Sequence, residues 1–384
     1  MKLTPNGYRQ HQLLGQFIRD KYINTLHFLN PTYKPSQFEI YSTQTQRTIF
    51  SAEGFISGLY PGLIIHHKYE NKDLNIINND HLPFHYQHSS NTLTSSQTIE
   101  LNVIDLQSDI IFHPLSCSLY GKHIKTEMKK QTASPLFHIT PTEITESIAE
   151  IAAFLNITLN PHTKQTINDN DKMTELQKLF FVYSYHFNKE WRQLSSKAGS
   201  LMRKLVLNKW YSTRMSDNSK YLKIGVSGLF DVIISKFERA KRRVGFLKEV
   251  NTIYTVYSAH DTTLVNILAN VIEKERIKAE VVKAVKDDKV FEFLVPPFAS
   301  NILFELHCDD NDTSTLYVRV VYNGKILKES IKGINDKDIK DNGNIPYDMF
   351  IKLLKSCIDY DYKNLDCSIE KGVKEDKESL FIVN

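Results

Sequence analysis

The stretch TIYTVYSAHDTT, residues 252–263, decides the fold class of this chain. Its first half, residues 252–257, is rich in β-branched and aromatic side chains and predicts a buried strand. The residues after it predict a helix, because apolar side chains recur at helical spacing as far as Val271. A strand, a polar turn and a helix in this order form a corner of an α/β sheet where ligands commonly bind. His260 and Asp261 at this corner indicate proton transfer or anion chemistry.

A second strand–turn–helix corner lies near the start of the chain. Residues 38–41 (Phe-Glu-Ile-Tyr) predict a short strand. The segment from Thr43 to Gln46 has the spacing of a capping box, which predicts that a helix starts there. Apolar side chains at helical spacing continue this helix to about Leu59, and Arg47 falls in its first turn. The sequence therefore predicts two corners of the same kind, one carrying a guanidinium and one carrying a histidine and an acid.

The rest of the chain alternates between helical and extended patterns. Thr4 and Pro5 predict the start of a first helix, and the segment from Thr140 to Glu143 has the spacing of another capping box. Two β-rich runs, 302–306 and 316–322, are joined by a polar loop and predict a hairpin. The fold class is therefore predicted to be α/β.

The same pattern predicts how the chain divides into domains. Residues 1–125 together with 250–384 are expected to form an α/β core with a mixed, mainly parallel central sheet and flanking helices. Residues 126–249 carry a largely helical signal and are expected to form a smaller, mostly helical cap domain.

Composition excludes several classes of function. The 48 basic and 44 acidic residues give a formal charge of +4, which is too balanced to indicate nucleic-acid binding. No run approaches the roughly 18 apolar residues of a membrane-spanning helix, and the first residues, MKLTPNGYRQHQ, lack the apolar stretch of a secretory signal. The four cysteines are too sparse for a zinc motif. The compartment stays open.

Four segments in order resemble the histidine acid phosphatase family, branch 2 of the histidine phosphatase superfamily. They are LTPNGYRQHQLLG at 3–15, STQTQRT at 42–48, YSAHDTT at 257–263 and PPFAS at 296–300. Two positions depart from the family pattern: Tyr41 stands where many relatives carry arginine, and Gln44 where many carry aspartate. The resemblance implies hydrolysis of phosphomonoesters without a cofactor, and it leaves open related chemistry on inositol phosphates or lysophospholipids.

The resemblance also implies a role for each polar residue of the two corners. The planar fork of the Arg47 guanidinium would bind two phosphate oxygens at once. His260 would donate a hydrogen bond to the phosphoryl group. Asp261 would be the general acid that protonates the leaving alcohol. A nucleophilic histidine would attack phosphorus and form a phosphohistidine that water then hydrolyses.

The nucleophile of the family lies in an Arg-His-Gly-x-Arg motif, and no Arg-His-Gly occurs in these 384 residues. By the resemblance, that motif would precede the segment at 3–15 and fall upstream of Met1. We therefore expect a phosphatase whose nucleophile-bearing amino-terminal segment is missing from this chain. The alternative is a catalytically inactive pseudophosphatase that binds a phosphorylated ligand.

Other polar residues give weaker signals. The histidines at 66, 67, 81, 85 and 88 form a local excess, but Pro83 interrupts any shared helical face and no spaced carboxylate completes a ligand set, so no metal site is predicted. His11 lies within the first predicted helix and is interpreted as structural.

The resemblance bears on partners and compartment as well. It suggests a lysosomal or secreted protein, and a disulfide between Cys117 and Cys367 would fit that compartment, although two free thiols remain the alternative. The expected partner is a small phosphomonoester, and the oligomeric state stays open, with a homodimer as one option.

Overall fold

The structure is a computed structural model. It describes residues 3–69, 97–105, 109, 111–112, 120–122, 126, 140–154, 157–159, 196–214, 219–244, 253–289, 291–309, 312, 314–360, 362 and 381–383.

The described residues form helices, strands and short helical turns that are labelled here in chain order. The helices are α1 (Pro5–Arg19), α2 (Gln46–Leu59), α3 (Pro141–Phe154), α4 (Ser196–Arg214), α5 (Ser219–Val244), α6 (Asp261–Val271), α7 (Lys274–Lys286) and α8 (Tyr347–Ser356). The strands are β1 (Phe38–Thr43), β2 (Ile64–Tyr69), β3 (Thr98–Ile104), β4 (Ile157–Leu159), β5 (Tyr254–Ser258), β6 (Ile302–Cys308), β7 (Leu316–Tyr322), β8 (Lys325–Ile326), β9 (Ile345–Pro346) and β10 (Phe381–Val383). A π-helical segment, Asp20–Thr25, follows α1 directly, and 3-10 turns occupy Pro35–Gln37 and Asp336–Asp338.

The central sheet has the strand order β2-β3-β1-β5, and each neighbouring pair is parallel. In the pairing of β1 with β5, Tyr41 lies opposite Tyr257 and Ser42 lies opposite Ser258. A helix follows both strands, α2 after β1 and α6 after β5. The predicted α/β fold with a mainly parallel central sheet and flanking helices is therefore confirmed.

A second sheet is antiparallel. β6 pairs with β7 along the full length of both strands, and β7 also pairs with β8 and β9. The predicted hairpin from 302–306 to 316–322 is confirmed, with β6 reaching Cys308. A separate short antiparallel pair joins β4 to β10.

Two clusters of buried apolar side chains stabilise these layers. The N-terminal core consists of buried residues between Ile18 and Val103, and the C-terminal core consists of buried residues between Phe112 and Tyr362. Helices α4 and α5 contribute to the C-terminal core, alongside α6, α7 and α8. The division into an α/β core and a helical cap at 126–249 stays a prediction.

Three predicted helix starts can be compared with the structure. The Thr4 side chain accepts a hydrogen bond from the Gly7 N–H and caps α1, as predicted. Thr140 and Glu143 exchange the two hydrogen bonds of a capping box, also as predicted. The capping box from Thr43 to Gln46 is wrong, because Thr43 remains in β1, where it pairs with Ile104, and the N-cap of α2 is Thr45.

The cysteine predictions fall largely outside the described residues. Cys117 and Cys367 both lie there, so their pairing stays a prediction. Within the described part, Cys308 is an exposed free thiol and Cys357 is a buried one. None of the described helices is both long enough and apolar enough to cross a membrane.

Helices α1 and α2 run parallel and are unusually close. A Cβ atom added to Gly58 of α2 would lie 2.0 Å from the Gln12 carbonyl oxygen, and one added to Gly15 of α1 would lie 2.1 Å from the Phe55 carbonyl oxygen. A Cβ atom on Gly54, one turn before Gly58, would lie nearest the Tyr8 carbonyl oxygen. Contacts therefore advance in the same direction along both helices, and the two helices begin at the same edge of the sheet.

A partly buried carboxylate joins the segment after α1 to the second sheet. The Glu305 carboxylate accepts from Lys21 Nζ at 2.7 Å and contacts His307 Nε2 at 3.1 Å, and it also accepts from the Tyr22 hydroxyl. The Arg319 guanidinium lies 3.5 Å away. Burial by itself raises the pKa of Glu305, but the hydrogen bonds from His307, Lys21 and Tyr22 outweigh it and lower the pKa to about 2.

We expect Gly58→Ala to destabilise the protein by roughly 3 kcal/mol, the upper end for overpacking, because the added methyl group meets the backbone of α1. Gly199→Ala is the matched control. Gly199 is also helical, but an added Cβ atom there meets only the flexible end of Arg203, at 3.3 Å. This control should be neutral or stabilising by up to about 1 kcal/mol. Urea unfolding measures both, and equal stability of the two variants would contradict the close packing.

We expect Glu305→Gln to destabilise the protein near neutral pH by roughly 2 kcal/mol, since its side chain is only 11% exposed and its charge is held by cations. The folded pKa of about 2 lies below the unfolded value of about 4.3, so the ionised carboxylate stabilises the fold above pH 4.3. The difference from wild type should therefore narrow as pH falls from 4.3 towards 2. Urea unfolding across this range is the measurement. The exposed Glu292→Gln is the control, and a pH-independent loss for Glu305→Gln would contradict the charge-based explanation.

Candidate active site

The two predicted corners meet at one edge of the central sheet. β1 and β5 are parallel and pair from Phe38 opposite Tyr254 to Ser42 opposite Ser258. Both strands therefore end at the same edge of the sheet. The Ser258 hydroxyl donates to the Thr48 carbonyl oxygen at 2.7 Å and ties the end of β5 to the first turn of α2. The starts of α2 and α6 therefore face a common space.

Arg47 lies in the first turn of α2, and its side chain is exposed. Its Nη2 atom lies 3.2 Å from Nδ1 of His260. No ion pair among the described residues includes Arg47. The Thr45 side chain makes no capping hydrogen bond to the helix, so it leaves the first backbone N–H groups of α2 to other acceptors. A cation and a helix N-terminus thus lie together.

His260 is the N-cap of α6 and is 8% exposed. Its Nε2 atom lies 3.1 Å from the Thr43 hydroxyl at the end of β1. Its backbone N–H donates to the Thr263 hydroxyl at 3.4 Å, and this hydroxyl donates in turn to the Phe112 carbonyl oxygen at 2.6 Å. The imidazole is therefore oriented by Thr43 and Arg47 of the other corner, and the Arg47 side of the ring faces the common space.

Asp261 is the first residue of α6 and is exposed. One carboxylate oxygen accepts from the Thr262 N–H at 2.8 Å. The three predicted site residues therefore occupy one place: Arg47 contacts His260 across the two corners, and Asp261 is the next residue in the chain.

Three hydroxyl residues of the site were not predicted from the sequence. Thr43 contacts His260, the Thr48 hydroxyl lies 2.9 Å from the Thr43 hydroxyl, and Ser258 ties β5 to α2. Ser42, Thr43 and Thr48 are all buried. Short polar side chains at the ends of otherwise apolar strands were the available signal, because a buried hydroxyl needs a hydrogen-bond partner.

Aromatic rings pack behind the site. Tyr257 stacks against Tyr41 with ring centroids 5.5 Å apart and against Phe112 at 4.7 Å. Burial, together with Tyr41 and Glu39, raises the pKa of Tyr257 far above its usual range, so the phenol stays neutral. Tyr41, near the end of β1, places an aromatic ring beside Tyr257 and donates its hydroxyl to Glu39.

The remaining histidine candidates lie elsewhere. His11 packs against Gly54, two turns from Arg47, and burial lowers its pKa to about 4, so it is neutral in mildly acidic solution. His67 contacts Glu53 at 2.8 Å. The histidines at 81, 85 and 88 lie outside the described residues. Within the described ranges, no three metal-type ligands come together.

This arrangement suits an oxyanion. A guanidinium, a histidine nitrogen and a helix N-terminus converge, and these groups bind phosphate or sulfate through charge-assisted hydrogen bonds. The adjacent Asp261 adds a group that can give or take a proton.

Comparisons with known proteins agree with this chemistry. The family described as histidine phosphatase superfamily (branch 2) matches residues 1–323. Lysosomal acid phosphatase of Rattus norvegicus is 21% identical over 336 residues, which cover 81% of this chain and 60% of that protein. 2-Phosphoxylose phosphatase 1 of Mus musculus is 23% identical over 330 residues, which cover 84% of this chain and 55% of that protein. The chain thus spans 55% to 60% of the length of these two relatives.

The fold also matches solved structures. The phytase of Citrobacter braakii superimposes with a TM-score of 0.53 at 14% identity, over 94% of this chain and 89% of that one. The apo phytase of Hafnia alvei gives a TM-score of 0.52 at 14% identity, over 96% of this chain and 89% of that one. At this level of identity the similarity establishes a shared fold.

Proposed function

We propose that this chain, which belongs to branch 2 of the histidine phosphatase superfamily, provides the phosphate-binding and acid half of a phosphomonoesterase. Arg47 binds two phosphate oxygens, His260 donates a hydrogen bond to a third, and Asp261 protonates the leaving alcohol. The reaction proceeds through a phosphohistidine, and no cofactor takes part. The substrate is a small phosphomonoester.

The observation that carries this proposal is the contact between Arg47 and His260 at the ends of β1 and β5. The guanidinium faces a histidine instead of a carboxylate, so its charge is not cancelled by this contact. A dianion placed between Arg47 and the start of α2 would supply the missing counter-charge. It would also accept hydrogen bonds from both arginine nitrogens and backbone N–H groups.

The proposal assigns the nucleophile to a segment outside these 384 residues. Two strands have an edge to which such a segment could pair. Among the described strands, β5 pairs only with β1, and β6 pairs only with β7. All residues of β5 and residues 302–307 of β6 are half-buried, whereas Ser42 and Thr43 at the paired end of β1 are fully buried.

Both open strands lie between the same two cores. In β5, Tyr254 and Val256 pack against the N-terminal core, and Tyr257 packs against the C-terminal core. In β6, Leu303 packs against the N-terminal core and Phe304 against the C-terminal core. One extended segment between β5 and β6 would join the two sheets and pair both open edges.

The direction of α1 supports the same placement. Since α1 runs parallel to α2, it begins at the edge of the sheet where Arg47 and His260 lie. Helix α2 follows a strand, β1, that ends at this edge. A strand placed before α1 and parallel to β5 would likewise end beside His260, where its last residues could present a nucleophile.

Phosphate binding is the first test. Inorganic phosphate at about 100 times its dissociation constant should stabilise the folded chain by roughly 2.7 kcal/mol, seen as a rise in melting temperature. Arg47→Ala and His260→Ala should each abolish most of this rise. Arg276→Ala, which removes an arginine from the surface of α7, is the matched control and should retain it. An unchanged melting temperature of the wild-type chain in excess phosphate would contradict the proposed function.

Hydrolysis tests the assignment of the nucleophile. We expect the 384-residue chain to hydrolyse p-nitrophenyl phosphate negligibly at mildly acidic pH. A longer chain that carries an in-frame Arg-His-Gly-x-Arg segment from the upstream transcript should hydrolyse it, and the change of that histidine to alanine should abolish turnover. Phosphate binding without turnover, together with a transcript that lacks the segment, would instead identify a noncatalytic module for phosphorylated ligands. Turnover by the 384-residue chain that His260→Ala abolishes would show that the nucleophile is misassigned.

A further inference from the structure

Both ring nitrogens of His260 have partners whose chemistry fixes the position of its proton. Nδ1 lies 3.2 Å from the Arg47 guanidinium, and Nε2 lies 3.1 Å from the Thr43 hydroxyl. A guanidinium can only donate hydrogen bonds, so Nδ1 must be the acceptor. In a neutral imidazole the other nitrogen then carries the proton, and Nε2–H donates to Thr43.

The hydrogen bond from His260 also fixes which hydroxyl donates in the contact between Thr43 and Thr48. Once Thr43 accepts from His260, its own proton points to the Thr48 hydroxyl at 2.9 Å. The Thr48 hydroxyl has two carbonyl acceptors, those of Thr43 and Thr45, each at 2.9 Å. The donors therefore run in one direction, from Arg47 through His260 and Thr43 to Thr48, and each hydroxyl proton in the chain has an acceptor.

A phosphate dianion requires the other tautomer of His260. Its oxygens accept hydrogen bonds, so Nδ1 must carry a proton once phosphate replaces Arg47 beside it. The Thr43 hydroxyl can meet this change by rotation, because it can donate to Nε2 instead of to Thr48. Thr48 keeps a carbonyl acceptor in both states, so no buried hydroxyl is left without a partner.

We propose that Thr43 is a positioning residue whose hydroxyl holds Nε2 of His260 in both tautomers of the ring. It accepts from Nε2–H in the ligand-free protein and donates to Nε2 when Nδ1–H binds phosphate. This inference rests on the proposed phosphate-binding role of His260. Ligand binding exchanges one proton at each ring nitrogen with water, one leaving Nε2 and one arriving at Nδ1, so the imidazole stays neutral.

The direct test is nitrogen-15 NMR of the histidine rings near neutral pH, with the His260 signals assigned by loss in His260→Gln. Protonated and unprotonated ring nitrogens of a neutral imidazole give well-separated signals. We expect a protonated Nε2 without ligand and a protonated Nδ1 with inorganic phosphate. A ring protonated at both nitrogens in the complex would overturn the proposal, and so would a protonated Nδ1 in the ligand-free protein.

Variants of Thr43 test the role of its hydroxyl. Thr43→Val removes the partner of Nε2 in both states, so the ring is no longer held with Nδ1 towards the ligand, and phosphate binding should weaken about tenfold. Thr43→Ser retains a hydroxyl and should restore both the affinity and the tautomer change. Ser42→Ala is the matched control, since it removes a neighbouring buried hydroxyl that donates to a backbone carbonyl.

The outcomes separate this inference from the proposed function. A wild-type chain that binds no phosphate overturns both. Phosphate binding that Thr43→Val leaves unchanged overturns only the role of Thr43. If Thr43→Val does not fold, two measurements still test the role of Thr43. They are the wild-type nitrogen-15 spectra and phosphate binding by Thr48→Val, which removes the next hydroxyl in the chain of hydrogen bonds.

Discussion

The parallel pairing of β1 with β5 is the constraint on which the candidate site depends. Arg47 and His260 are far apart in the sequence, and only the register that places Ser42 beside Ser258 brings their corners together. The hydrogen bond from the Ser258 hydroxyl to the Thr48 carbonyl oxygen then fixes the first turn of α2 relative to the end of β5. Arg47 immediately precedes Thr48, so the sheet and this hydrogen bond place its backbone within reach of His260.

Charged side chains occur in two different settings in this protein. Glu305 is surrounded by Lys21, His307 and Arg319, and this network satisfies the carboxylate and joins two parts of the fold. Arg47 instead contacts a histidine nitrogen and lies beside a helix N-terminus. The first arrangement stabilises the fold without a ligand. The second keeps positive potential at the edge of the sheet, which is the property an anion-binding site requires.

Local sequence signals predicted the elements well, but the contacts between them less well. The strand ending at Ser258 and the helix after it follow from an apolar run and a helical repeat, both of which are local. Thr43 was misassigned, because its spacing from Gln46 fits a capping box while its actual partner, His260, comes from a distant strand. The contact of Lys21 with Glu305 was unpredictable for the same reason, since side-chain pairing across the fold leaves no local pattern.

Side chains bridge the interval between the two sheets. The ring of Tyr22 lies 6.1 Å from that of Tyr254 on β5, and its hydroxyl donates to Glu305 on β6. One tyrosine thus contacts side chains on both open strands. Side-chain bridges satisfy Glu305 but leave the outer backbone groups of β5 and β6 without ladder partners among the described strands. Half-buried backbone without a ladder is costly, so a strand placed there would gain hydrogen bonds on both edges. Under the proposed function, the same strand would end beside the Arg47 and His260 pair, so one segment would complete both the sheet and the site.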